Sequence, residues 1–278
     1  MDTLVGGDSN DTYYIGYLKT IADVITENAT AGAGSNDTVL SFLPNYTLAD
    51  NVETLTLLTG AINGTGNASH NTLTGNSVSN SLSGGEGNDS LDGGVSDVYN
   101  PGIIDTLNGG AGNDTFVVRG FYAQGVYNGG ADSDTIDFNQ PDAFTAGQRN
   151  GGGGGVVVDL TANSANTYYQ SATNFVWQDA NGHISLSGIE NVIGTTQSDV
   201  ITGDANNNTL DGGVSDVYNP SVYDAIYGMG GNDTLMVRGF YGYTGYDAGS
   251  GNDWIDFSKS DAFTAGQRSG GGVVLLSI

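Results

Sequence analysis

A nine-residue frame of glycine and aspartate recurs along this chain. Gly84-Gly85-Glu86-Gly87-Asn88-Asp89-Ser90-Leu91-Asp92 is one clear copy, and Gly109-Gly110-Ala111-Gly112-Asn113-Asp114-Thr115-Phe116-Val117 is another. With small departures the frame also spans residues 6–14, 32–40, 129–137, 194–202, 228–236 and 248–256. Copies at 66–74, 75–83 and 203–211 keep the frame but carry Asn71, Asn80 and Asn208 where the aspartate should stand. One such loop is an ordinary turn signal. A period held this often makes the chain a stack of like units, each too small to bury its apolar residue alone.

A longer period is laid over the short one. Leu91-Asp92-Gly93-Gly94-Val95-Ser96-Asp97-Val98-Tyr99-Asn100-Pro101 returns as residues 210–220, 119 residues later (210 − 91). Asp142-Ala143-Phe144-Thr145-Ala146-Gly147-Gln148-Arg149 returns at the same offset as 261–268. The sequence starts and stops inside a repeat, which sets up the expectation of a segment of a longer array, or of a subunit whose ends are completed by neighbours.

Acids outnumber bases 31 to 6, for a net charge of −25. Such a surface repels nucleic acid and anionic membranes, which need Lys and Arg at their phosphates, and it favours cations. Acidity alone would fit disorder, but 37% of the residues are hydrophobic and they recur at a fixed spacing. There are 46 glycines against 4 prolines and no Gly-X-Y period, so the chain is not collagen-like. Cysteine is absent, so something other than a disulfide must hold a glycine-rich backbone, and a bound metal is the natural candidate. No run of about 18 apolar residues exists to insert in a membrane. The start Met1-Asp2-Thr3-Leu4-Val5 lacks the basic and apolar regions of a cleaved signal.

The units resemble the glycine-rich nonapeptide repeats of RTX proteins, the hemolysin-type calcium-binding repeats, whose pattern is G-G-x-G-x-D-x-U-x with U a large apolar residue. The segments Asn51-Val52-Glu53-Thr54-Leu55-Thr56-Leu57, Ile62-Asn63-Gly64-Thr65-Gly66-Asn67 and Gly188-Ile189-Glu190-Asn191-Val192-Ile193-Gly194 look like spacers of the same family. The resemblance implies an all-β fold, a right-handed parallel β-roll (solenoid), here in two related 119-residue repeats with β spacer segments. The expected division is a partial repeat and spacer at 1–63, a first calcium roll at 64–138, a β spacer at 139–193, a second calcium roll at 194–257 and a truncated spacer at 258–278.

The residue types suit calcium. Glycines at positions one, two and four admit backbone angles closed to other residues and let carbonyl oxygens point inward. The position-six aspartate adds a carboxylate. Calcium takes about six to eight oxygens, more than one turn supplies, so two stacked turns must share an ion. The candidate ligands are Asp11 and Asp37 near the start; Gly84, Gly85, Gly87 and Asp89; Asp105; Gly109, Gly110, Gly112 and Asp114; and Gly129, Gly130 and Asp134. In the second long repeat they are Asp199, Asp224, Gly228, Gly230, Gly231, Asp233, Gly249, Gly251 and Asp253. The cofactor is several calcium ions. The asparagine units bind more weakly or stand empty. Position eight (Leu91, Phe116, Ile136, Ile201, Leu235, Ile255) points inward and its neighbours outward. Two nonapeptides make one coil of eighteen residues, as Asn71 and Asp89 obey. Asp114 and Asp134 are twenty apart, as are Asp233 and Asp253, so residues 119–128 and 238–247 are expected to form an expanded half-coil.

Other features read more plainly. Asp179-Ala180-Asn181-Gly182 lacks the closing glutamate of an EF-hand and reads as a hairpin turn. His70 and His183 have no cysteine or histidine nearby and do not form a zinc motif. Triplets such as Asn45-Tyr46-Thr47 fit the glycosylation pattern, but most come free with the repeat. Aromatic clusters at Phe121-Tyr122 to Tyr127 and at Phe240 to Tyr246 read as caps of the expanded coils, with stacking on sugars or on a neighbouring subunit as the alternative. Arg119, Arg149, Arg238 and Arg268 occupy matching places, and each is expected to pair with an acid. Spacers 1–60 and 140–190 are expected to contain strands, notably at Val156-Val157-Val158 and Thr54 to Leu58.

No H-E-x-x-H, no G-x-S-x-G and no cysteine nucleophile is present, so the chain reads as a non-enzyme. The resemblance implies export through a one-step (type I) bacterial channel without a cleaved N-terminal signal, to a secreted, extracellular or cell-surface location. The expected function is a calcium-dependent structural module of adhesin, S-layer or filament type, folding on calcium outside the cell. Its expected partners are calcium, its own copies end to end or neighbouring repeats, and a cell-surface polysaccharide. The alternative is a targeting module of a larger extracellular enzyme such as a polysaccharide lyase or epimerase. Binding of ice or carbohydrate by a flat Thr or Asn row ranks lower, because the row looks broken by the spacers.

Overall fold

In the computed structural model, residues 2–17, 23–27, 36–94, 102–119, 124–140, 154–169, 184–213, 224–238, 245–256, 258 and 275–277 are described. Among them every regular element is a β-strand. The chain divides into two compact units, one of residues 1–119 with 124–134, the other of 120–123 with 135–278.

In the first unit, successive strands alternate between two parallel sheets. One sheet runs Thr12–Ile15, Thr38–Ser41, Thr54–Leu57, Thr72–Thr74, Ser90–Asp92, Thr115–Val117. The other runs Asn45–Thr47, Asn63–Thr65, Ser81–Glu86, Asp105–Ala111, Gly125–Ala131. A chain that crosses between two sheets at every turn and pairs in parallel within each is a parallel β-roll. A short pair, Thr3–Val5 on Val24–Thr26, lies at the start.

The rungs align the apolar position of every unit. Leu55, Leu73, Leu91 and Phe116 are register partners in one sheet, and Leu82, Leu107 and Tyr127 in the other. All are buried. Period-two alternation puts Thr38, Thr54, Thr72, Ser90 and Thr115 in an outward row. The row that looked broken in the sequence is therefore continuous in this unit. Phe116 and Tyr127 meet edge to face across the core, 5.9 Å between ring centres, a favoured aromatic geometry.

The second unit repeats the plan. Thr135–Asp137, Asn191–Ile193, Thr209–Asp211, Thr234–Met236 and Trp254–Asp256 form one sheet. Val200–Thr202, Ala225–Tyr227, Gly245–Asp247 and Leu275–Ser277 lie in the other. Val192, Ile201, Leu210, Ile226, Leu235 and Tyr246 fill the interior.

The spacers contain strands, and the structure shows what they do. Thr54–Leu57 pairs in parallel with Thr72–Thr74, so residues 38–65 are rungs of the roll. Gly154–Asp159 also joins in parallel, on Val200–Thr202. It then pairs antiparallel with Ser164–Tyr169, which pairs antiparallel with Ile184–Ser187. That antiparallel excursion has no counterpart in the nonapeptide pattern. The segments 95–101, 142–149, 179–183, 214–220, 239–244 and 261–268, with Phe121, Tyr122, Arg149, His183 and Arg268, lie outside the described residues.

Turn length is divided unequally between the two edges of each roll. From the glycine-bearing sheet to its partner, the step is fixed: Thr65 to Thr72, Thr202 to Thr209, Tyr227 to Thr234 and Asp247 to Trp254 each span seven residues. The opposite edge varies. Register partners Ser90 and Thr115 are 25 apart, and Asp105 and Gly125 are 20 apart, against 18 for Thr72 and Ser90. The twenty-residue coil matches the expectation for residues 119–128. The 25-residue coil, seven longer than eighteen (25 − 18), was not foreseen.

Candidate metal centre

The fixed edge carries a column of position-six side chains: Asn71, Asp89, Asp114 and Asp134 in the first unit, Asn208, Asp233 and Asp253 in the second. Each rung's position-six N–H donates to the next rung's carboxylate. Asn71 N donates to Asp89 Oδ1 (2.7 Å), Asp89 N to Asp114 Oδ1 (2.8 Å) and Asp114 N to Asp134 Oδ1 (2.8 Å). Asn208 N donates to Asp233 Oδ1 (2.8 Å) and Asp233 N to Asp253 Oδ1 (3.0 Å). The twenty-residue coils thus stack Asp114 on Asp134 and Asp233 on Asp253. The variable edge carries a shorter column, in which Asn80 N donates to Asp105 Oδ1 (2.8 Å) and Asp199 N to Asp224 Oδ1 (3.0 Å).

In several of these residues a second carboxylate oxygen is left over. Oδ2 of Asp11, Asp89, Asp114, Asp134 and Asp233 is buried with no hydrogen-bond partner. A buried polar atom without a partner costs about 1–3 kcal/mol, more when charged. These atoms face a shared space. A Cβ placed on Gly84 would run into Asp89 Oδ2 and, at 2.6 Å, the Gly109 carbonyl. One on Gly109 would meet Asp114 Oδ2 and, at 2.7 Å, the Gly129 carbonyl. One on Gly228 would meet the Ala248 carbonyl and, at 2.5 Å, Asp233 Oδ2. Only glycine leaves this cradle open, and its walls are carboxylate and carbonyl oxygen from two successive rungs. That is the donor set of a hard cation such as calcium, so the residues fit the ion.

The second and fourth glycines have another role. Gly85, Gly87, Gly110, Gly112, Gly130, Gly231, Gly249 and Gly251 all hold positive φ, between 86° and 149°. Gly110 stacks so closely on the rung below that a Cβ there would strike the Gly85 carbonyl. Asp132 (φ 78°) and Met229 (φ 74°) take the same backbone conformation without being glycine. In three nonapeptide units the glycine pair is not part of the turn. Strands Ser81–Glu86, Asp105–Ala111 and Gly125–Ala131 run straight through it.

Electrostatics follow burial. Burial pushes the carboxyls of Asp89 and Asp105 up to about 6 and also raises those of Asp114 and Asp233. Asp199 and Asp224 are raised too, by burial first, with the Asp224 charge adding to the effect at Asp199. Carboxylates that resist ionising in a dry loop need a compensating cation.

The predicted residues do not all behave alike. Asp199 is satisfied without an ion: Thr195 N and Thr195 Oγ1 donate to its oxygens at 2.7–3.1 Å, and Val156 N at 2.7 Å. The asparagine rungs are satisfied too. Asn71 Oδ1 accepts from Asn67 N (2.7 Å) and its amide donates to the Val52 carbonyl (3.1 Å). Near the start, Asp11, Asp37 and Glu27 bring carboxylate oxygens within 4.8 Å of one another. Tyr13 donates its hydroxyl to Glu27. Glu27 lies outside the nonapeptide frame, so no sequence signal pointed to it. Asp37 N donates to Glu53 Oε2 (2.9 Å), which places a glutamate in the column where the spacer has no aspartate.

Arg119 pairs with Asp92 (2.5 Å) and Arg238 with Asp211 (2.6 Å), as expected of these two arginines. His70 accepts from Asn88 N at an exposed position.

A family model of the RTX calcium-binding nonapeptide repeat matches residues 65–97, 104–118, 185–216 and 223–239. These stretches include Asp89, Asp105, Asp114, Asp199, Asp224 and Asp233, with all three asparagine rungs, while Asp11, Asp37, Asp134 and Asp253 lie beyond them. No curated protein sequence matches the chain. The chain thus carries, in four copies, the RTX calcium-binding nonapeptide repeat, a structural module that binds several calcium ions.

Proposed function

We propose that this chain is a calcium-rigidified structural module of a secreted or cell-surface protein, of the adhesin, S-layer or filament type, which completes its fold on meeting calcium outside the cell. One observation supports the reading above others: buried carboxylate oxygens without partners face position-one carbonyls of the next rung, those of Gly109, Gly129 and Ala248. In the proposal, Asp89, Asp114 and Asp233 hold ions, each with the position-one carbonyl above it, and Asp134 and Asp253 complete the stacks. Without calcium these loops bury uncompensated charge; with it, binding free energy becomes folding free energy. Cytosolic calcium is scarce, so a chain built this way stays export-competent inside and sets outside, as one-step secretion requires.

Far-UV circular dichroism during a calcium titration, with magnesium as control, tests the reading. The expected result is a cooperative gain of β signal in calcium alone, because magnesium demands a tighter octahedral shell and gives up its water reluctantly. Full β signal in a calcium-free solution at neutral pH would refute it.

A further inference from the structure

The loops of the first unit fall into two kinds, and they are segregated along the roll. From Thr38 to Ser83, asparagine side chains satisfy the backbone of the loops. Asn67 donates its amide to the carbonyls of Ala49 (2.7 Å) and Val52 (2.8 Å) in the rung below, and Asn71 donates to the same Val52 carbonyl (3.1 Å). The other edge does the same. Asn76 donates to the carbonyls of Leu58 (2.9 Å) and Ala61 (2.8 Å), and Asn80 to those of Ile62 (3.1 Å) and Ala61 (3.3 Å). Asn71 and Asn80 are buried, 2% and 3% exposed. An amide N–H therefore approaches the loop carbonyls that a cation would otherwise draw together. Beneath them the loops are closed by buried Leu48, Val52 and Ala61. Among the described residues of this unit, the buried carboxylate oxygens without a hydrogen-bond partner all lie outside this block, at Asp11, Asp89, Asp114 and Asp134.

We infer that residues 38–83 are a metal-independent seed, on which the aspartate rungs of the same unit, up to Asp134, assemble when calcium arrives. The inference rests on the calcium reading above and adds an order to it. The seed's last rung is already shaped for the next one: Asn71 N–H and Asn80 N–H are taken up by carboxylates of the incoming rungs, Asp89 Oδ1 and Asp105 Oδ1. The seed also presents Thr72–Thr74 in one sheet and residues 81–83 in the other as templates for the strands Ser90–Asp92 and Asp105–Ala111. In a solenoid each rung touches only its neighbours, so a stable block propagates order outward.

Hydrogen–deuterium exchange of the full chain, read by peptide mass spectrometry with and without calcium, tests this. The expected result without calcium is slowed exchange, at least about tenfold, in 54–65 and 72–83. Residues 106–117 and 125–134 should exchange freely without calcium and become protected with it. Free exchange throughout without calcium, with protection throughout in calcium, overturns the seed and leaves the calcium reading standing. Protection throughout without calcium overturns both. The double variant Asn71→Asp/Asn80→Asp separates the asparagine bonds from packing: it should lose protection in 54–83 without calcium and regain it with calcium. Calcium-free protection that survives the double substitution would overturn the role given to the asparagines.

Discussion

In calcium-free solution, protons should do part of the work of calcium. Asp89 and Asp105 are buried, and burial raises each carboxyl from 3.8 to about 6 in the folded roll. A carboxyl whose folded value is raised favours the fold when protonated. Its contribution is complete below the unfolded value and is lost as pH rises through the folded one. The window therefore lies between about pH 4 and pH 6, and stability rises on acidification. Going from about pH 7.5 to pH 4.5 the shift corresponds to about 2 kcal/mol for each carboxyl, which solvent screening at the loop edge cuts to about 1 kcal/mol. The two together raise the melting temperature by on the order of 5 °C. The assay is thermal melting by circular dichroism in calcium-stripped buffers across that range. Charge repulsion across the whole acidic surface also relaxes in acid, so the control is Asp89→Asn/Asp105→Asn, which should lose most of the change centred near pH 6. An unchanged or falling melting temperature between pH 7.5 and 4.5, or a double variant that responds like the parent, would refute the reasoning. In excess calcium the dependence should reverse, since protons then compete with the ion.

Three further outcomes follow from particular residues. Met229→Gly removes a half-exposed side chain from a left-handed backbone position (φ 74°) and should stabilise by about 1 kcal/mol, visible as a rise of about 2–4 °C in the melting temperature in calcium. Gly110→Ala forces a methyl group against the Gly85 carbonyl at φ 117° and should destabilise by about 2–3 kcal/mol, read in urea melts in calcium. Asp114→Asn keeps an acceptor for Asp89 N–H but replaces the unpartnered oxygen with an amide, so calorimetric titration should show weakened calcium binding while calcium-free stability rises.

Much of the roll was legible because one residue type has one job. Leu91, Phe116, Ile136 and Leu235 sit at position eight of the frame, and all are buried. Position-six aspartates line up because the turns leading to them are of fixed length. What escaped the sequence was whatever broke that length. Gly93 and Asp105 belong to one enlarged turn, but seven added residues separate them beyond any nine-residue window. Asn67 and Asn76 carried no signal in the sequence, although their amides bond the rung below, because a donor's partner fifteen to eighteen residues away is a product of the coil. Glu27 reaches the Asp11 and Asp37 carboxylates only through the fold. The antiparallel excursion of Ser164–Tyr169 was hidden because strand propensity says nothing about pairing direction.

The unequal edges bear on how such a chain can diversify. Two or seven residues are absorbed at one edge while Leu73, Leu91 and Phe116 remain in a single file. The same insertion of seven inside a strand would turn every following leucine to the outside, and at the opposite edge it would pull apart the stacked aspartates. Indels are therefore tolerated at one margin and purged at the other. A lineage can lengthen and rewrite the tolerant margin without disturbing the ion-facing one. That margin is also where an engineer would graft a foreign epitope, with the repeat spacing fixing the distance from one graft to the next.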